Sequence, residues 1–188
     1  GRVDVISGGW VHDGIYWYEN PGTAESGFWK AHLIGDNAKK DSGTEGMLLV
    51  DVDGDGRRDV IPQHYAPKGI WWYSFNDDLS ATRYFVGSKA DIHGIGFGDL
   101  DGDGRGDILT IHGWYKAPAD PRKGKWQWIQ EDGYTNIGHT SIPILVYDVN
   151  SDGKNDIIFG RGHSCGVYWL EQVTTDGKRS WRRHTIDD

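Results

Sequence analysis

The feature that most limits what this chain can fold into is an acidic nine-residue loop that recurs at near-constant spacing. Asp51-Val52-Asp53-Gly54-Asp55-Gly56-Arg57-Arg58-Asp59 returns as Asp99-Leu100-Asp101-Gly102-Asp103-Gly104-Arg105-Gly106-Asp107 and as Asp148-Val149-Asn150-Ser151-Asp152-Gly153-Lys154-Asn155-Asp156, at spacings of 48 and 49 residues. Gly1-Arg2-Val3-Asp4 matches Gly56-Arg57-Arg58-Asp59, the tail of a further copy. A self-similar period of this length marks one supersecondary unit used repeatedly.

The residues around each loop name the unit. An apolar run precedes it (Met47 to Val50, Ile95 to Phe97, Ile142 to Tyr147) and a β-branched pair follows it (Val5-Ile6, Val60-Ile61, Ile108-Leu109, Ile157-Ile158). A glycine and an aromatic run come next: Gly14 to Tyr18, Gly69 to Tyr73, Gly124 to Trp128 and Gly166 to Leu170. Fourth strands are expected at Phe28 to Ile34, Ala81 to Val86, Tyr134 to Ile137 and Trp181 to Ile186. Short strands between glycine-rich turns, with no helical period, predict an all-β fold of four-stranded antiparallel propeller blades. The competing β-sandwich gives no reason for a metal loop at fixed period. The expected organisation is one β-propeller region over 1–188, with blades at roughly 1–48, 49–97, 98–146 and 147–188. Propellers carry about four to eight blades, so further blades or domains of a larger chain are expected.

The loops supply what a hard cation requires. Carboxylates at positions one, three, five and nine and a backbone carbonyl at seven give the oxygen-only set that calcium takes. The expected ligands are therefore Asp51, Asp53, Asp55, Arg57 and Asp59; Asp99, Asp101, Asp103, Arg105 and Asp107; and Asp148, Asn150, Asp152, Lys154 and Asp156, with Arg57, Arg105 and Lys154 contributing carbonyls. Asn150 keeps an oxygen and removes a charge, so the third site is expected to be the weakest. Position twelve holds Pro62, Thr110 or Phe159 rather than an acid, which argues against an EF-hand. Eleven aspartates lie in the three loops, so the formal charge of −8 is largely metal ligand, and it disfavours nucleic acid as a partner. One cysteine, Cys165, excludes an internal disulfide. No apolar run of about 18 residues is present to span a membrane.

Loops followed by Asp-Val-Ile, together with Trp17-Tyr18-Glu19-Asn20-Pro21-Gly22, resemble the FG-GAP/VCBS repeat family, whose blades also build integrin α-chain propellers. The resemblance implies structural calcium and a secreted, extracellular or periplasmic setting. It leaves adhesion, scaffolding, carbohydrate binding and carbohydrate lyase or dehydratase chemistry open.

A second group of residues recurs around the loops. His64 and His112 each lie five residues past the last calcium ligand, where the fourth repeat has Arg161, with His163 two further on. Glu45 and His93 lie six residues before the first ligand, and His139 nine before. These positions share one end of the blades and are expected to ring a mouth. Imidazoles with a carboxylate suit zinc or another divalent metal, or an acid–base pair; hydrogen bonding to loop backbone is the plainer role for any one of them. The segments around His93, His112-Gly113-Trp114-Tyr115, Gly138-His139-Thr140 and Gly162-His163-Ser164-Cys165 are similar to propellers of the aldos-2-ulose dehydratase kind. That similarity implies a lyase in which a metal polarises a sugar carbonyl. Trp17, Trp72, Trp128 and Trp169 are expected to pack between blades, whereas Trp10 and Trp114 are candidates for stacking on sugar rings. Three functions follow: a carbohydrate-binding or scaffold module, part of a carbohydrate lyase or dehydratase, or a protein adhesion module.

Overall fold

A computed structural model describes residues 2–9, 14–23, 27–36, 44–64, 69–89, 93–134, 140 and 143–188. The described residues form fifteen strands and no helix. Every sheet is an antiparallel meander in chain order. The first holds β1 (Val5–Gly8), β2 (Gly14–Glu19) and β3 (Lys30–Asp36). The second holds β4 (Thr44–Val50), β5 (Asp59–His64), β6 (Ile70–Phe75) and β7 (Ala81–Gly87). The third holds β8 (Gly96–Gly98), β9 (Asp107–Thr110), β10 (Gly113–Lys116) and β11 (Gln127–Ile129). The fourth holds β12 (Leu145–Tyr147), β13 (Asp156–Gly160), β14 (Val167–Thr175) and β15 (Lys178–Asp187).

Each acidic loop turns the corner between the first and second strands of its sheet. The registers Val50↔Asp59, Gly98↔Asp107 and Tyr147↔Asp156 close the three loops. Asp59 to Gln63 of β5 and all of β9 are buried, covered on both faces, which is why Val60-Ile61 and Ile108-Leu109 read as apolar pairs without polar alternation. The first strands lie side by side, β4 against β8 and β8 against β12, and β1, the counterpart of a second strand at the edge of the three-stranded sheet, lies against β4. The Ile144 amide donates to the Ile95 carbonyl at 2.8 Å, and Gly96 pairs with Ile144 in parallel. Sheets joined through their innermost strands are propeller-like blades.

The apolar cores lie between sheets. Ile15, Trp17 and Ile34 pack against Val60 and Tyr73. Ile61 and Trp72 pack against Ile108 and Tyr115. Leu109 and Trp114 pack against Ile157 and Leu170. Absent side chains permit the close fit: a Cβ on Gly35 would lie 2.4 Å from the Tyr73 ring, and one on Gly87 2.3 Å from the Tyr115 ring.

The third blade differs from the sequence expectation. Its third strand is Gly113 to Lys116, paired through Ile108↔Tyr115, which matches Val60↔Tyr73 and Ile157↔Leu170. Gln127 to Ile129 is the fourth strand, so Gly124 to Trp128 does not form the aromatic third strand. The repeated inter-blade tryptophan is Trp114, fully buried, in register with Trp17, Trp72 and Trp169; Trp128 belongs to the outer strand. Of the expected fourth strand from Tyr134 to Ile137, Tyr134 is a buried core residue outside any strand and the remainder lies outside the described residues.

Candidate functional site

The three loops share one hydrogen-bond design. The first aspartate curls the chain by accepting from amides ahead of it. Asp51 takes Gly54 at 2.7 Å and Gly56 at 2.9 Å, Asp99 takes Asp103 at 3.0 Å and Gly104 at 2.9 Å, and Asp148 takes Asp152 at 3.1 Å and Gly153 at 2.9 Å. The fifth residue accepts from the seventh: Asp55 from Arg57 at 2.9 Å, Asp103 from Arg105 at 3.1 Å and Asp152 from Lys154 at 2.9 Å. Positions four and six take left-handed φ: 76° and 85° at Gly54 and Gly56, 76° and 85° at Gly102 and Gly104, and 61° and 83° at Ser151 and Gly153.

This curl brings carboxylates together. Oxygens of Asp51, Asp53 and Asp55 lie within 4.8 Å of one another, as do those of Asp99, Asp101 and Asp107. The third loop presents Asp148, Asn150 and Asp152 in the same arrangement of backbone bonds, with the Asp152 amide also donating to Asn150 at 3.0 Å. The ninth-position aspartates are fully buried and clamp the corner. Asp59, Asp107 and Asp156 accept the amides of Val52, Leu100 and Val149 at 2.8, 3.0 and 3.1 Å. Asp107 and Asp156 also accept from the third strand or its end, through Ala117 at 2.9 Å and Gln172 at 2.8 Å. Burial pushes the Asp59 carboxyl up to about 6 and the Asp107 carboxyl up to about 7.

Cations already answer the negative charge, and the sequence reading missed them. Lys116 reaches Asp101, and Asp103 at 2.6 Å. Arg122, from the third blade, reaches across to the second blade's loop, bonding Asp53, and Asp55 at 2.8 Å. The Arg57 amide holds Asp55 below the usual carboxylate range. Burial works to raise Asp103, but Lys116 outweighs it and the net direction is down. Ammonium and guanidinium groups drawn to these convergent oxygens show that the donor set calls for positive charge, so the residues fit a hard divalent cation. Neither Lys116 nor Arg122 belongs to the nine-residue pattern, so the repeat gave no signal for them.

The geometry of a corner loop on a four-stranded sheet agrees with the comparison to known families, where residues 51–110 match the FG-GAP-like repeat. Residues 51–110 are thus similar to an FG-GAP-like repeat, and they span the second blade's loop and the strands after it, and the loop and second strand of the third. No curated protein matches the chain. No helix among the described residues is long and apolar enough to cross a membrane.

At the end of the strands opposite the acidic loops, three of the expected mouth residues meet. Glu45 Oε2 lies 2.8 Å from His93 Nδ1, and His93 Nε2 lies 3.1 Å from His163 Nε2. The rings cross edge-on with centroids 4.6 Å apart, joining the second, third and fourth blades. His112 is exposed in the β9–β10 turn. Arg161 is directed to its own turn, 3.4 Å from Ser164 Oγ and 5.4 Å above the Tyr168 ring. His64 closes β5 opposite Thr44, while His139 and Trp10 lie outside the described residues. Trp114 is not a surface stacking platform: it is fully buried, and its Nε1 donates to Glu131 at 3.2 Å. Cys165 is exposed and free.

Proposed function

We propose that the chain is a calcium-stabilised β-propeller module, secreted or periplasmic, that binds an extracellular ligand, with carbohydrate as the preferred class. The observation that carries the calcium assignment is the convergence of loop carboxylates, with Lys116 and Arg122 drawn onto them. Calcium at Asp51, Asp53, Asp55, Asp59 and their counterparts would neutralise these corners and lock the first two strands of each blade. The carbohydrate preference rests on the likeness to sugar-processing propellers, because the Trp114 candidate is buried. Thermal unfolding in chelator and then in saturating calcium tests the first part. Tm rises with calcium, and the rise is lost when Asp53, Asp101 and Asp152 are all replaced by Asn. A Tm indifferent to calcium would overturn it.

A second reading, the propeller part of a metal-dependent carbohydrate lyase or dehydratase, is favoured by the Glu45–His93–His163 arrangement. Two imidazole Nε2 atoms that meet, one of them oriented by a carboxylate at Nδ1, supply two of the three or four protein ligands that a zinc-class metal takes. His93 and His163 would be ligands and Glu45 would fix the His93 tautomer. The metal would supply Lewis-acid polarisation of a sugar carbonyl, and the exposed His112 would be the candidate base. Metal analysis after dialysis in calcium, with sugar turnover, separates the readings. A retained transition metal that disappears in His93→Ala, with turnover lost in His112→Ala, favours the lyase. Glycan binding without metal or turnover favours the binder, and affinity for a protein without sugar dependence favours adhesion.

A further inference from the structure

We infer that the cleft between the outer edge of the second blade and the β10–β11 segment of the third binds an acidic saccharide, a chain bearing uronate carboxylates. This deepens the carbohydrate reading and rests on it. The cleft encloses about 830 Å³, a volume suited to a small organic ligand. The exposed Phe85 and the half-buried Trp128 supply ring surface over the buried Tyr115, and Lys89, Lys123 and Lys125 supply charge.

The lysines are the telling part. The chain is acidic overall, and Arg57, Arg105, Lys116, Arg122, Lys154, Arg179 and Arg182 hold carboxylates. Lys89 and Lys125 have no carboxylate partner among the described residues. Lys123 has only Asp120 at 3.3 Å, with both groups well exposed, an arrangement of little energetic worth. Three cations gathered around one aromatic cleft in an acidic protein form a local field that attracts an anion.

The walls are fixed in advance. Tyr115 OH accepts the Lys89 amide at 2.6 Å, which ties the two sides of the cleft together. Arg122, next to Lys123, anchors the third-blade segment to Asp53, Asp55 and Ser74 of the second blade. A site that is already ordered loses less freedom on binding.

The chemistry selects among anions. The Phe85 and Trp128 rings favour the apolar face of a sugar, and lysine ammoniums suit separated single charges. Bidentate phosphate recognition favours arginine or a helix N-terminus. No arginine is among the cleft's lining residues, and there is no helix among the described residues.

Isothermal titration of the calcium-loaded chain with a β-1,4-linked glucuronate tetramer, with cellotetraose in parallel, tests the proposal. The two probes share a backbone and differ in the carboxylate. The expected result is binding of the uronate at least about tenfold tighter than cellotetraose, weakened about tenfold by Lys89→Ala with Lys125→Ala and by Trp128→Ala. Each variant is checked for an unchanged calcium-loaded Tm. Equal binding of both probes, or uronate binding that ignores the cleft variants, overturns the cleft proposal and leaves the carbohydrate reading standing. No binding of either probe, with a blank glycan array, overturns both. Preference for an acidic peptide such as oligo-glutamate over the uronate also overturns it.

Discussion

Ser151 shows how much a loop position can demand of one residue. It holds φ at 61° where the other two loops place Gly54 and Gly102 at 76°. A side chain in this region costs about 1 kcal/mol or more, and glycine returns part of that gain as unfolded-chain entropy. Ser151→Gly is expected to stabilise the chain by up to about 1 kcal/mol, and Gly54→Ala to destabilise it by about as much, in denaturant unfolding at fixed calcium. Asp59 and Asp107 carry a pH signature as well. Their folded values, about 6 and about 7, lie above the ordinary 3.8. Their favourable contribution is therefore full below about pH 4 and is lost as pH rises through 6 to 7 in chelator. Calcium opposes protonation of these carboxyls, so its binding near pH 6 releases protons and near pH 8 releases few. Calorimetry in buffers of different ionisation enthalpy measures this directly, and proton uptake would contradict it.

Strands meet across blades where glycines leave room. A Cβ on Gly96 would lie 2.5 Å from the Ile144 carbonyl oxygen, a backbone atom held by the Ile144 amide bond to Ile95. Gly96→Ala is expected to cost about 2 kcal/mol, read as a lowered denaturant midpoint with an unchanged slope. The corner loops and their flanking runs were legible in the sequence because their chemistry is local: nine residues contain both the turn and the donors. The third blade was misread because Gly124 to Trp128 repeats the glycine-aromatic alternation of Gly113 to Lys116, and alternation does not say which run pairs with β9. That choice is made at long range, by Ile108↔Tyr115 and by Trp114 packing into the core beside Leu109. The histidines were placed at one end by repeat symmetry. That His93 meets His163, 70 residues away, while Arg161 turns back to Ser164, depends on side-chain direction that no spacing encodes.

At the scale of the molecule, calcium is expected to act as ballast for the whole array. A site filled at about a thousand-fold excess over Kd adds roughly 4 kcal/mol to the folded side. Chelation is therefore expected to lower Tm markedly, and removing one loop's ligands only partly, a difference that calorimetry of Asp53→Asn beside the triple Asn variant resolves. Arg122 adds a prediction across blades: Arg122→Ala removes a competing cation from the second blade's loop, Asp51 to Asp59, and is expected to raise calcium affinity there, measurable by titration against the wild-type chain. The apolar clusters straddle neighbouring sheets, so no single blade owns a core. Swapping whole periods of about 48 residues would regenerate the same contacts at each seam, whereas a cut inside a period leaves an oily wall without its partner. Such a design favours growth and loss by complete units and gives a ready way to change the number of blades while keeping their joints.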